Sequence, residues 1–127
     1  MIMNFLSVAI GGALGAMVRY AISVAVTGAS ASHAYLATLG VNIVGCALMG
    51  TMAASVMLYP GLSTSLRPLL MIGFLGALTT FSSFALDSFV LLEKQHYGML
   101  AAYLVSSFIL SLAAFFLCFH LTKWGLS

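Results

Sequence analysis

Charge is what this chain has least of. Of its 127 residues, four are Lys or Arg and two are Asp or Glu, so only 5% are charged. A soluble domain of this size carries roughly 25% charged residues, which leaves this chain without the polar surface needed to face water. The net charge of +2 is small and scattered, which argues against a nucleic-acid partner. Cysteine is as sparse. Cys46 and Cys118 sit in apolar runs at a spacing that fits neither a disulfide framework nor a metal site, and they read as small buried hydrophobes. No stretch alternates at period two, which speaks against a small β-barrel, and no strong internal repeat is present. The first residues lack the basic start of a signal peptide and continue into too long an apolar run, so they read as a retained first span.

What is present is apolar. Hydrophobic residues make up 63% of the chain and the mean hydropathy is +1.19. These values specify an all-α integral membrane protein whose surroundings are a lipid bilayer. Residues 1–127 are expected to form one four-helix transmembrane domain, with spans at about 4–26, 35–58, 66–92 and 97–121. The expected connections are a small-residue loop at 27–33, a turn at Tyr59-Pro60-Gly61, and the polar loop Glu93-Lys94-Gln95-His96. Pro68 is tolerable because it falls in the first turn of its helix. Asp87 and Glu93, towards the end of that helix, are read as solvated.

The third span contains the least helix-like stretch, Gly73-Phe74-Leu75-Gly76-Ala77-Leu78-Thr79-Thr80-Phe81-Ser82-Ser83-Phe84. Gly costs a helix about 1 kcal/mol relative to Ala, and Ser and Thr hydroxyls compete for the backbone. A break is therefore expected close to the bilayer centre, where irregular backbone must be buried in protein or face a water-filled cavity. Freed carbonyls at such breaks commonly meet ions. Unsatisfied carbonyls cost several kcal/mol each in lipid, so either an ion or the neighbouring hydroxyls and helices must meet those of Gly76 and Thr79.

Polar groups in the other spans have specific spacings. Gly11 and Gly15 form a small-xxx-small face, and Arg19 follows on the same helix. An arginine inside a span either serves function or snorkels to the interface. Thr38, Asn42 and Cys46 recur every four residues and share a face. The Asn42 amide is either glue between helices or a donor to an anion. Phe81 and Phe84, at i and i+3, either pack or offer positive ring edges to a small anion. Tyr103, Ser107 and Ser111 form a stripe on the fourth span, either self-satisfied on their own helix or a track of donors.

Together these motifs resemble the bacterial CrcB family of fluoride channels, also called Fluc. The resemblance rests on the glycine-rich element ending in Arg19-Tyr20, on Thr38, Leu39, Val41, Asn42 and Gly45, and on the Gly73–Phe84 core. Ala77, Ser83 and Ala47 depart from the family pattern. The resemblance implies an antiparallel, dual-topology homodimer in the bacterial cytoplasmic (inner) membrane. It would export fluoride passively through two pores, with no enzymatic chemistry. It further implies that Asn42, Phe81 and Phe84 contact fluoride, and that Thr38, Thr80, Ser83, Tyr103, Ser107 and Ser111 line the polar side of the path. Arg19 would shape the entrance. A structural Na+ would sit at the dimer centre on the carbonyls of Gly76 and Thr79. The charge bias is weak enough for dual topology, since Arg67 and Lys123 fall on one side and Lys94 on the other. The alternative, a proton-coupled transporter of the small multidrug resistance type, needs a carboxylate deep in the membrane. A mere helper subunit would not need Arg19, Asn42 and a hydroxyl-rich break together.

Overall fold

The computed structural model describes residues 1–29, 33–62 and 66–126. Four helical spans follow one another, each long and apolar enough to cross a membrane. The first is α1 (Ile2–Ala29) and the second α2 (Ala34–Leu58), after which a short 3-10 turn covers Pro60–Leu62. The third span comprises α3 (Arg67–Leu75), which has π-helical geometry, then α4 (Gly76–Leu78) and α5 (Phe81–Glu93). The last is α6 (Tyr97–Leu126).

Of the loop expected at 27–33, residues 30–32 lie outside the described residues, but Thr27 and Gly28 are helical rather than looped. The reason is local: the Thr27 hydroxyl donates to the Ser23 carbonyl at 2.8 Å, so its competing donor is spent on its own helix. At the end of α5 the turn is fixed by Gln95 in the left-handed region (φ 57°), with the N–H groups of Gln95 and His96 donating to the Leu92 and Leu91 carbonyls. These bonds satisfy carbonyls that the helix end would otherwise leave bare.

Packing divides into two parts. α1 lies chiefly against α3 and α4, whereas α2 lies chiefly against α6. The first contact depends on glycine. A β-carbon at Gly11 or Gly15 would run into the backbone of Leu69 or Phe74, so these positions admit only hydrogen if α1 and α3 are to touch backbone to backbone. The π-helical turn is a feature the α-helical reading of the third span did not anticipate. There the Gly76 N–H reaches the carbonyls of both Gly73 and Met71, and Pro68 occupies the first turn, where its missing N–H leaves no donor unmet. Two small apolar clusters complete the interior. Val41, Leu75 and Leu78 form one, and Phe84, Leu91 and Tyr103 form the other.

Candidate functional site

Between α4 and α5 the backbone leaves helical geometry. Thr79 (φ −81°, ψ 152°) and Thr80 (φ −153°, ψ 126°) are both extended. Thr80 then starts α5 as its capping residue: its hydroxyl accepts the Ser83 N–H at 3.1 Å and also bonds the Ser83 hydroxyl at 3.2 Å. This is the ordinary role of Thr before a helix, and it explains why the hydroxyl-rich stretch can resume a helix after interrupting one.

The extended pair is held from α2. Asn42 donates from Nδ2 to the Thr80 carbonyl at 3.0 Å and accepts the Thr80 N–H on Oδ1 at 2.8 Å. One side-chain amide thus meets both polar groups of one peptide residue, as a neighbouring strand would. The second Nδ2 hydrogen remains for another acceptor. Because the Thr80 N–H goes to Asn42, it does not serve the Gly76 carbonyl four residues earlier. The Leu75 carbonyl, by contrast, accepts both the N–H and the hydroxyl of Thr79, at 3.1 and 2.9 Å. Gly45 permits the approach, since a β-carbon there would meet the Thr79 methyl group.

Around this break lies a groove of about 440 Å³. Of the sequence-predicted residues it gathers Asn42, Gly76, Thr79, Thr80, Phe81, Phe84, Ser107 and Ser111, and it adds Cys46 and Phe108. The Phe81 and Phe84 rings stand 5.3 Å apart, and Phe84 also meets Phe108 edge-on at 5.8 Å. The two predicted rings differ sharply in exposure: Phe84 is 7% exposed and Phe81 70%. Ser107 is buried, and its hydroxyl has no hydrogen-bond partner. It is therefore not satisfied on its own helix. A donor in that state, beside a groove, is a group awaiting an acceptor.

A second, smaller cavity of about 180 Å³ lies between α1, α2 and the start of α5, and includes Arg19, Thr38, Thr80 and Ser83 in its lining. Arg19 is turned against the break rather than extended towards an interface. Its Nε donates to the Ala77 carbonyl at 3.0 Å and its Nη1 to the Ser83 hydroxyl at 3.4 Å. It forms no ion pair with a carboxylate among the described residues, so its charge raises the potential of this cavity for anions. Thr80 borders both spaces.

One expectation needs correcting, that Asp87 is solvated, and two of the predicted residues lie off the groove. Thr38 does not join Asn42 and Cys46 at the groove, because its hydroxyl is committed to Asp87 Oδ2 at 2.6 Å. Asp87, read as solvated, is instead held from two helices, since the Tyr103 hydroxyl donates to the same oxygen at 3.3 Å. Tyr103 itself is 2% exposed and lies behind Phe84, with ring centroids 5.3 Å apart, rather than on the groove wall. Its place towards the end of α5 gave no sign of these partners, which come from α2 and α6. Glu93 is exposed. No group of three or more His, Cys, Asp or Glu able to hold a metal occurs among the described residues. The oxygens near the break are neutral carbonyls and hydroxyls, a set that suits a hard monovalent cation rather than a transition metal.

Comparison with known proteins identifies the family. A family model described as CrcB-like protein, Camphor Resistance (CrcB), matches residues 6–119. The chain is 44% identical over 114 residues to a protein of Stutzerimonas stutzeri named fluoride-specific ion channel FluC, covering 90% of this chain and 92% of that one. A protein of the same name from Azotobacter vinelandii is 44% identical over 118 residues, covering 93% and 95%. One from Saccharophagus degradans is 40% identical over 119 residues, covering 94% and 89%. With the family model spanning all four helices and the relatives aligned over nearly their whole length, this chain belongs to the CrcB-like family.

Proposed function

We propose that this protein is a fluoride-selective channel of the bacterial inner membrane, passing the ion by electrodiffusion without enzymatic chemistry. The observation that carries the reading is the groove at the break. There the unpartnered Ser107 hydroxyl and the Asn42 amide share one space with the rings of Phe81 and Phe84. A small anion shedding its water could accept from the hydroxyl and the amide and rest against positive ring edges. Arg19 gathers anions at the smaller cavity, which Ser83 also lines, and Thr80 borders both spaces. Thr38 lines the smaller cavity, Ser111 lies on the groove, and Tyr103 holds Asp87 from behind Phe84. The names of the relatives point to the same ion. A transporter of the multidrug type is not favoured, because the relatives are named as fluoride channels and Asp87 lies towards the end of its helix rather than deep in a span.

The working unit in this reading is an antiparallel homodimer. A groove that gathers the Asn42 amide, Ser107, Ser111 and the extended backbone of Thr79 and Thr80 does not suit direct contact with lipid. A second copy covers it. With the break near the bilayer midplane and close to the two-fold axis, the Gly76 and Thr79 carbonyls of both subunits converge, and Na+ is the cation their neutral oxygens fit. The bound ion supplies positive charge between two anion paths.

The direct test is efflux from liposomes containing only this protein. Fluoride should leave when a potassium ionophore balances the charge and should stop without it, while chloride stays inside. Equal rates for the two halides, or fluoride loss that needs a proton gradient instead, would overturn the reading. Sodium has its own test. Exhaustive replacement of Na+ by a large organic cation should lower fluoride flux and the melting temperature of the dimer together. Unchanged values of both would remove the ion from the proposal.

A further inference from the structure

We propose that Arg19 is a positioning residue that stitches together the two halves of the broken third span, replacing a hydrogen bond that the break removes. The effect on flux rests on the channel reading above; the stitching does not. In an unbroken helix the Ala77 carbonyl would accept the Phe81 N–H, four residues on. Thr79 and Thr80 are extended, which takes Phe81 out of that register. The Ala77 carbonyl is met from α1 instead, by Nε of Arg19 at 3.0 Å. The same guanidinium reaches past the break and donates from Nη1 to the Ser83 hydroxyl at 3.4 Å, in the first turn of α5. One rigid fork holds the end of α4 and the start of α5.

The surroundings of Arg19 are built for this reach. Gly15 lies one helical turn before it on α1, and a β-carbon there would run into the Phe74 carbonyl and crowd the Leu78 nitrogen. The bare backbone at Gly15 lets α1 sit close enough for a half-buried Arg19 to meet Ala77. The helical stretch from Arg67 to Leu78 ends on these carbonyls, and a cation beside such an end is favoured by the helix dipole. The Ser83 hydroxyl is bonded in turn to that of Thr80, whose N–H and carbonyl are held by Asn42. The break is therefore gripped from two helices, by Arg19 on α1 and by Asn42 on α2. Charge and geometry make different demands on position 19. A charge that only gathers anions can be a lysine, and its loss weakens fluoride capture at low concentration. A fork that fixes backbone cannot be a lysine, which carries its donors on one nitrogen. Loss of the fork lowers the rate even when the ion is plentiful.

The experiment compares full-length wild type, Arg19→Lys and Arg19→Gln. Lysine keeps the charge without the fork, and glutamine keeps a planar donor without the charge or the length. Amide hydrogen exchange is read by mass spectrometry over residues 76–84 and over α6, and fluoride efflux from liposomes is read across a range of fluoride concentrations. Exchange over 76–84 should speed up about tenfold in both variants, as for one lost buried hydrogen bond, with α6 unchanged. Maximal efflux should fall about tenfold in both variants, while the half-saturating fluoride concentration of Arg19→Lys stays at the wild-type value. Only protein with wild-type protection in α6 is compared, so a misfolded fraction does not enter the result. The proposal is overturned if Arg19→Lys exchanges at the wild-type rate over 76–84, or if its maximal efflux equals that of wild type. It also fails if half-saturating fluoride is the only quantity that moves, since Arg19 then acts by charge alone. Should wild type pass no fluoride at all, the channel reading fails on its own and the exchange measurement still decides the stitching.

Discussion

Asn42→Asp should stop fluoride flux almost completely while leaving the helices and the dimer assembled. Asn42 uses its Nδ2 donor on the Thr80 carbonyl and its Oδ1 on the Thr80 N–H. An ionised aspartate keeps the acceptor but sets a second carboxylate oxygen against the Thr80 carbonyl, two acceptors face to face. Leaving a buried acceptor unmet costs about 1–3 kcal/mol, or roughly 5–150-fold in any equilibrium that needs the native break. The same substitution removes the spare amide hydrogen from the groove and adds negative charge to an anion path. Both effects act in one direction, so flux should fall by at least the upper end of that range. Dimer assembly, read by cross-linking, should persist, and so should the packing of α1 on α3 within each chain, because the contacts of Gly11 and Gly15 lie elsewhere. Flux within twofold of wild type would show that the ion does not travel past Asn42.

The other large effect concerns orientation. Appending two or three Lys residues to one terminus should fix every copy in one orientation and reduce flux to background. Co-expression of versions biased in opposite directions should restore it. Four spans put both termini on the same side, with Arg67 and Lys123 near them and Lys94 opposite. That bias is too slight to orient the chain firmly, and a few added charges outweigh it. A single locked orientation that is fully active by itself would end the antiparallel proposal and leave a parallel dimer or a monomer.

Much of this architecture was legible in the sequence. Long apolar runs broken by rare polar clusters place the four helices, because lipid allows little else. The glycines of α1 announce a close helix contact, and their partner proves to be the backbone of α3. The groove lining was legible too, since Gly76, Thr79, Thr80, Ser107 and Ser111 are the residues an apolar helix has least reason to carry. What was not legible depends on groups meeting across the chain. Asp87 reads as solvated until Thr38, 49 positions away, and Tyr103, 16 positions away, are seen on its Oδ2. Arg19 is ambiguous on its own helix, and only the Ala77 carbonyl 58 positions on shows which way it turns. The π-helical geometry of α3 has no periodic signature in the sequence.

The bond between Asn42 and Thr80 also bears on how the chain enters the membrane. A helix that closes its own ladder can be released into lipid alone, whereas the third span carries a residue whose N–H and carbonyl are answered from 38 positions earlier. Until α2 lies alongside, those groups have no protein partner, and hydrocarbon offers none. The second and third spans are therefore obliged to leave the insertion machinery as a pair. A ribosome stalled after the third span should yield a protease-resistant hairpin of the two, and Asn42→Leu should turn that hairpin into a third span that slips back towards water.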